Sequence, residues 1–422
     1  MDRRYFIKNS GIALAGFGMA AAAPDVLQRI VSASVKGDPS RKKTLVIVFQ
    51  RGAVDGLSMV PPFGDGSYVG ARRNLAVQEP GAEDGAVDLD GFFGLHPSMS
   101  ALAPLWEDRS LAVVHSAGSP NNTRSHFDAQ DYMEAGTPGV KSTRDGWMNR
   151  LLQYHEDKGS TPFRAVAMTR QVPRSLVGRC PAVAMTNLQT FAIRAGSFTR
   201  SVSGGFEDLW KQEADGRLGE TGKETFEAIE FLKRSDPAQY RPANGARYPA
   251  GPYGESMRQI AQLIKAGVGL EAAFTDTPGL NWDTHANQAN GNGSRGQLAN
   301  LLRVFGEALG AFAKDLGAKK MEDVLVVTMS EFGRTVRENG SRGTDHGHGN
   351  AMLLFGGGVN GGKVYGDWKG LSSSALYEGR DLAVTTDFRD PLSEAAKGFL
   401  GLPNVSGIFP GYKTSRTLGL FA

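Results

Sequence analysis

The fold is decided by the stretch SRGQLANLLRVFGEALGAFAKDL (294–316), which is followed by VLVVTM (324–329) and SEFGRT (330–335). In the first part, apolar residues recur at steps of three and four, which predicts a helix with one apolar stripe (Leu298, Leu301, Leu302, Phe305, Leu309, Phe312 and Leu316). Ser294 and Gln297 have the spacing of a helix-capping box. The second part predicts a buried strand, and polar residues begin where it ends. A long helix beside a central strand indicates an α/β domain.

Strands and helices alternate in the same way along the rest of the chain. Strands are predicted at 44–50, 110–115, 163–168, 268–274 and 352–355, and helices at 97–106, 125–134, 145–154 and 254–265. This alternation is typical of a mostly parallel sheet sandwiched by helices. At about 190–250, Gly, Ser and charged residues surround a single helix near 224–233, which predicts a small helical or loop insertion.

Residues 1–34 are predicted to be a twin-arginine (Tat) signal peptide and linker, followed by a single domain over 35–422. Arg3 and Arg4 precede an uncharged, Ala- and Gly-rich segment at 9–24. That segment is shorter and less apolar than the about 20 residues of a membrane-spanning helix, so no stable membrane span is expected. Tat signals direct folded proteins out of the cytoplasm, which predicts a periplasmic or secreted protein. The alternative is an ordinary basic N-terminal arm.

The composition excludes several classes of protein. With 40% hydrophobic and 22% charged residues, the chain is neither disordered nor fibrous. The net charge of +3 is nearly balanced over 422 residues and there is no basic block, so nucleic acid is not expected as a partner. The single cysteine, Cys180, allows no intramolecular disulfide. It has no neighbouring histidine in the sequence, so we interpret it as buried or incidental rather than as a nucleophile.

Histidines are concentrated in the polar segments that follow predicted strands. These segments are 50–56, 115–131, 281–285, 330–335 and 343–350, and they hold five of the seven histidines (His115, His126, His285, His346 and His348). Ligands of open α/β sheets bind at the carboxyl ends of the strands. The sequence therefore predicts a functional site where these segments meet.

Two of the segments carry residues that bind metals. Asp283 with His285, and Asp345 with His346 and His348, supply the oxygen and imidazole ligands that zinc or a similar divalent ion accepts. The alternative is that the aspartates cap loops while the histidines bond to backbone carbonyls.

Other residues in these segments are candidates for binding or attacking an anion. Ser125 lies at a predicted helix start, where free N–H groups favour a phosphate or an oxyanion; the alternative is a simple cap with Asp128. Arg51 and Arg334 follow strand ends and could grip an anion, or they are solvated surface arginines. Asp55 either forms a turn or points into the site.

Together, these segments resemble domain-of-unknown-function family 1501. The resemblance covers nearly the whole chain from residue 44, and its motifs are the Tat leader, RGAVDGL (51–57), RSHFDAQD (124–131), NWDTH (281–285), SEFGRT (330–335) and DHGHG (345–349). The family is placed in the alkaline phosphatase and sulfatase superfamily. The resemblance therefore implies an alkaline-phosphatase-like fold and hydrolysis of phosphate or sulfate esters at a two-metal site.

The resemblance also implies that one metal of this site is altered. Where the superfamily has S-D-H-G after a later strand, this chain has SEFG (330–333), in which Glu331 can replace the aspartate but Phe332 cannot bind a metal. The aspartate that normally follows the first strand is replaced by Arg51. A fixed guanidinium there would substitute for the charge of the missing ion.

The other metal of the superfamily takes one aspartate and two histidines. Asp283, His285, and His346 or His348 supply that set, and Glu331 and Asp345 complete the predicted ligands. Ser125 is the nearest match to the superfamily's nucleophile, and Ser119 and Thr123 are the alternatives.

The sequence thus predicts an exported hydrolase of small anionic phosphate or sulfate esters, with a divalent ion such as zinc in an altered site and with Ser125, Arg51 and Arg334 as the catalytic residues. The alternative is a catalytically reduced periplasmic protein of the same fold that binds a ligand or a protein partner.

Overall fold

The computed structural model describes residues 43–154, 163–189 and 239–421. The predicted signal peptide and the helix predicted near 224–233 lie outside these ranges, as does most of the predicted insertion at about 190–250.

The strands of the described chain agree with the predicted α/β pattern. They are β1 Thr44–Phe49, β2 Val87–Asp88, β3 Gly94–Leu95, β4 Leu111–Gly118, β5 Ala165–Ala167, β6 Val183–Ala184, β7 Ala272–Asp276, β8 Val324–Met329, β9 Asn350–Gly356, β10 Lys363–Tyr365 and β11 Thr386–Asp387. Within the described ranges, β2 and β3 form a small antiparallel pair and the other nine form one sheet.

The large sheet is mixed and mostly parallel, which confirms the predicted fold class. Its order is β10-β4-β9-β8-β1-β7-β5-β6, and β11 lies beside β4. Among its described pairs, only those that β9 makes with β4 and β8 are antiparallel. The carboxyl ends of β1, β4, β7 and β8 therefore lie at one edge of the sheet, and β9 begins at that edge. Each of the predicted polar segments is attached there.

Helices cover both faces of the sheet. The α-helices in the described ranges are α1 Gly56–Met59, α2 Tyr68–Ala71, α3 Ala103–Glu107, α4 His126–Ala135, α5 Trp147–Leu152, α6 Pro252–Ala266, α7 Gln297–Met321 and α8 Arg389–Glu394. Alternate residues of β1 pack on opposite layers, because successive side chains of a strand point to opposite faces. Val46 and Val48 share a buried cluster with α6 and α7, whereas Ile47 and Phe49 share one with α5 and α8.

The long helix α7 has the predicted stripe but not the predicted cap. Leu302, Phe305 and Phe312 of the stripe are fully buried in the core. However, the residue that caps α7 is Gly296, with φ of 117°, so Ser294 lies outside the helix and its buried hydroxyl has no hydrogen-bond partner. The predicted capping box is wrong because the chain turns at Gly296, whose positive φ favours glycine, and the helix begins only at Gln297.

Two buried histidines, His96 and His115, each bond to the backbone through both ring nitrogens. Nε2 of His96 bonds to the carbonyl of Gly293 at 2.9 Å, and Nε2 of His115 bonds to that of Val60 at 3.1 Å. In each ring Nδ1 accepts a hydrogen bond from a backbone N–H. The donor is Ser98 for His96 and Ser116 for His115. A neutral imidazole satisfies both contacts, whereas a protonated one would lose the acceptor at Nδ1. Burial accordingly lowers the pKa of both histidines to about 4.

These histidines predict a loss of stability in mild acid. The unfolded state takes up protons near pH 6.5 but the folded rings do so only near 4, so the stability is complete above pH 6.5 and is lost as pH falls toward 4. Each ring accounts for about 3 kcal/mol over that window. The free energy of unfolding is measured in urea at about pH 7.5 and at about pH 5. The difference between these two values should be smaller for His115→Gln than for the wild type. His126, whose pKa is raised, contributes with the opposite sign but is present in both proteins, so it cancels. An equal pH dependence in the two proteins would contradict this account.

No helix in the described part of the chain is both long enough and apolar enough to cross a membrane.

Candidate metal centre

Four side chains from three segments meet at the edge where the strands end. His126 is the first residue of α4, Asp283 and His285 follow β7, and His346 precedes β9. Nε2 of His346 lies 3.0 Å from Nε2 of His126 and 3.0 Å from Nε2 of His285. Asp283 Oδ1 lies 3.2 Å from His346 Nε2 and 3.0 Å from His285 Nε2, and its Oδ2 lies 3.6 Å from His126 Nε2.

The other nitrogen of each ring contacts a hydrogen-bond acceptor. The partners of the Nδ1 atoms are Glu331 Oε1 for His126 (2.8 Å), Asp345 Oδ1 for His285 (3.1 Å) and the carbonyl of Arg124 for His346 (2.9 Å). Because carboxylates and carbonyls only accept, each Nδ1 carries a proton. Whenever two adjacent rings are both neutral, their Nε2 lone pairs therefore point toward each other. Lone pairs at 3.0 Å repel unless a proton or a cation lies between them.

The centre has the composition and the support of a metal site. In the ranges that the structure describes, His126, Asp283 and His346 form a group whose ligand atoms all lie within 4.8 Å of one another and could hold an ion. His285 contacts two of these three, so it can supply a fourth ligand. Imidazole and carboxylate ligands suit zinc. Ligating histidines characteristically donate their second N–H to a carboxylate or a carbonyl, as these do.

The pKa values of His126 and His346 are shifted in opposite directions. The hydrogen bond to Glu331 raises the pKa of His126, whereas burial lowers the pKa of His346. Without a metal, a proton on His126 Nε2 can donate to His346. An ion would displace that proton, so metal affinity is expected to fall as the pH falls.

Glu331 holds His126 from the interior. Its side chain is buried, and it accepts hydrogen bonds from Gly52 N (2.8 Å), Gln130 Nε2 (2.8 Å) and Ser330 Oγ (3.1 Å) as well as from His126. Burial alone would raise the pKa of Glu331, but these hydrogen bonds outweigh it and hold the pKa below its ordinary value. The ionised carboxylate therefore orients His126 rather than facing the other ligands.

Arg334 joins the loops beneath the centre. Its guanidinium is fully buried and reaches Asp283 Oδ1 at 2.5 Å. Its other acceptors are backbone carbonyls from three segments: Gly52 (2.6 Å), Ala53 (2.6 Å), Trp282 (3.1 Å) and Thr344 (3.1 Å). Because these contacts occupy Nε, Nη1 and Nη2, the residue fixes the loops and orients Asp283.

Arg51 lies near the centre but is bound to other residues. It contacts Glu134 at 2.7 Å, Asp276 at 3.4 Å and the side-chain oxygen of Gln130 at 3.0 Å. Burial opposes its charge, but Glu134 above all outweighs this effect and raises the pKa of Arg51. Gln130 links Arg51 to Glu331, so the guanidinium belongs to the supporting network.

Three predicted residues lie outside the group. Ser125 is exposed at the start of α4, where its hydroxyl makes no capping bond. His348 is buried, and its ring packs on Tyr377 with centroids 4.7 Å apart. Asp55 is buried in an ion pair with Arg72 at 2.5 Å, away from the histidines.

Of the predicted ligands, the structure brings together Asp283, His285 and His346, and it places Glu331 and Asp345 one contact further out. The sequence reasoning did not include His126 among the ligands. The sequence carries a signal for it, because His126 lies at a predicted helix start in a polar segment that follows a strand, but Ser125 beside it has the same signal.

Glycines let the loops approach closely. A Cβ on Gly347 would lie 2.4 Å from the carbonyl carbon of Arg334, and one on Gly343 would lie 2.3 Å from that of His285. Such distances are shorter than real carbon contacts, so larger residues at either position would push the loops apart.

Comparisons with known proteins give one matching family and a remote similarity in fold. The family model described as "Protein of unknown function (DUF1501)" matches residues 42–394. No curated protein matched the sequence.

Several solved structures are similar over most of the chain. The PsFucS1 sulfatase from Pseudoalteromonas sp. is 13% identical, with a TM-score of 0.42, covering 95% of this chain and 76% of that one. The zinc complex of the C-terminal periplasmic domain of EcEptC from Escherichia coli is 11% identical, with a TM-score of 0.35, covering 75% and 73%. The lipoteichoic acid synthase LtaP from Listeria monocytogenes is 12% identical, with a TM-score of 0.31, covering 78% and 71%. At these TM-scores the similarity carries no conclusion about activity.

Proposed function

Since this chain belongs to the DUF1501 family, whose function is unknown, we propose from its own geometry that it is a metal-dependent hydrolase of small phosphate or sulfate esters. We also propose that it is exported, on the ground of the twin arginines Arg3 and Arg4 in the sequence. The observation that carries the proposal is the convergence of three Nε2 atoms on Asp283 while every Nδ1 is held by an acceptor. His126, Asp283 and His346 would hold the ion, with His285 as the fourth ligand. Zinc is the best match to this set.

A divalent ion at this position supplies a Lewis acid that can polarise an ester oxygen. The protein supports that chemistry by fixing its ligands before any ion arrives. Asp283 is held by the buried Arg334 and His126 by the buried Glu331, so ligand binding needs little rearrangement.

The start of α4 favours an anionic substrate beside the ion. His126 is the first residue of this ten-residue helix, and Ser125 stands exposed just before it. Free N–H groups and the helix dipole at this end attract negative charge. Ser125 directly precedes His126, so an anion bound at this end of the helix would lie near the Ser125 hydroxyl, which is therefore our candidate nucleophile.

We propose one ion rather than two. Phe332 packs against the rings of His126 and His346, with centroids 5.0 and 5.1 Å away, and contributes no ligand on that side. Arg51 already supplies a positive charge to Glu134 and Asp276.

A second candidate function is metal-dependent binding of a ligand or a protein partner without catalysis. It is favoured by the engagement of Arg51 and Arg334, whose contacts point to carboxylates, carbonyls and a glutamine of the protein itself. Neither is placed as a free cation to stabilise a developing negative charge.

Metal content and ester hydrolysis together test the proposal. The full chain, purified without chelator, should contain about one equivalent of divalent metal. The loaded protein should hydrolyse at least one class in a panel of chromogenic phosphate monoesters, phosphate diesters and sulfate esters, and a chelator should abolish that activity. Bound metal with no hydrolysis would support the binding function, and protein that takes up no metal would contradict both.

A further inference from the structure

Two arginines, Arg124 and Arg380, form hydrogen bonds with His346 on the side away from its Nε2 atom. The carbonyl of Arg124 accepts from His346 Nδ1 at 2.9 Å, and the guanidinium of Arg380 donates to the backbone oxygen of His346. Both arginines bind one carboxylate, that of Asp381. Arg124 reaches Oδ2 through Nε (3.1 Å) and Nη2 (2.6 Å), and Arg380 reaches Oδ1 through Nε (2.8 Å).

Asp381 is itself fixed in place. Its side chain is fully buried, and each of its carboxylate oxygens accepts from an arginine. Its backbone exchanges two hydrogen bonds with Tyr377 and pairs with Thr335. Replacing this carboxylate by an amide would remove the ion pair of Arg380 with Asp381 and one of the two ion pairs of Arg124.

We infer that Asp381 is a positioning residue for the metal ligand His346. It fixes Arg124, whose carbonyl selects the protonated nitrogen of the ring, and it fixes Arg380, which holds the backbone of the ligand. The inference rests on the metal centre of the proposed function, but Asp381 itself touches neither the other ligands nor the space between them.

Glu378 offers a matched control. It also contacts Arg124, at 2.7 Å, but its side chain is 49% exposed. Exposed ion pairs are weak because water screens them. If Asp381 acts by orienting His346, Glu378 should matter little although it binds the same arginine.

The experiment compares Asp381→Asn with Glu378→Gln in the full chain, with Zn²⁺ and Co²⁺ as the probes. We expect Asp381→Asn to weaken Zn²⁺ binding by about 10-fold, the lower end of the loss caused by removing a direct partner of a ligand, because Asp381 lies one contact further from the ion. The visible absorption of bound Co²⁺ should also shift, because it reports the orientation of the coordinating ring. Glu378→Gln should keep the affinity and the spectrum of the wild type.

The other outcomes also decide the matter. Wild-type affinity and spectrum in Asp381→Asn would overturn the inference while leaving the proposed metal centre intact. A wild type that binds neither ion would overturn both. If Asp381→Asn does not fold, Arg380→Ala is the deciding variant, because it removes only a half-exposed side chain. We expect Arg380→Ala to lose less Zn²⁺ affinity than Asp381→Asn and to shift the Co²⁺ spectrum in the same direction. An unchanged affinity and spectrum in Arg380→Ala would then refute the inference.

Discussion

Asp283→Asn is expected to lower the affinity for Zn²⁺ by at least about 100-fold, because loss of an outer partner alone costs 10- to 100-fold and this residue is a direct ligand. Asp283 brings the only carboxylate of the compact His126, Asp283 and His346 group in the described part of the chain. Asparagine keeps an acceptor for Arg334 but removes the negative charge that an ion needs. Arg334 also keeps its four carbonyl partners, so the metal-free variant should remain folded.

Calorimetric titration with Zn²⁺ measures this effect directly. The matched control is Asp128→Asn, which makes the same change on α4 at a carboxylate paired with the exposed Lys141. The control should bind Zn²⁺ as the wild type does. Metal should also raise the thermal unfolding midpoint of the control by as much as it raises that of the wild type. If Asp283→Asn bound the ion as tightly as the control, this carboxylate would not be a ligand.

Arg334→Met is expected to have the largest effect on stability, with a loss of about 3 to 5 kcal/mol, because each buried carbonyl left without a donor costs about 1 to 3 kcal/mol. The methionine fills part of the space but donates no hydrogen bond. The carbonyls of three loops and the carboxylate of Asp283 would lose their shared donor. Buried acceptors without partners are unfavourable, so the loops should separate and metal binding should fall with them.

Unfolding in urea gives the free energies for this comparison. Arg337→Met removes an exposed arginine three residues along the same segment and should change stability by no more than about 0.5 kcal/mol. Equal stabilities for the two variants would show that the loops pack without the buried guanidinium.

The sheet and its helices were predictable because they follow from local patterns. The apolar stripe of α7 and the run that forms β8 needed no knowledge of distant residues. The reversed direction of β9 was not predictable, because an antiparallel strand that is buried on both faces has the same composition as its parallel neighbours. That reversal brings the start of β9, and with it His346, to the edge where the other strands end.

The residue types of the site were predictable, but the contacts among them were not. Sequence places Glu331 and Asp345 beside strand ends, where either could bind an ion. Only the fold shows that each faces the Nδ1 of a histidine. His126 was missed for the same reason, since its partner Glu331 lies 205 positions away in the chain.

The distance along the chain between His126 and His346, 220 positions, has a consequence for the stability of the protein. With a lone cysteine, the protein can form no internal disulfide. An ion shared by these histidines would act as the missing cross-link, closing a very long loop and restricting the unfolded chain. Global unfolding of the protein would then require release of the ion. The same four side chains would serve as a staple, and scarcity of metal would shorten the protein's lifetime.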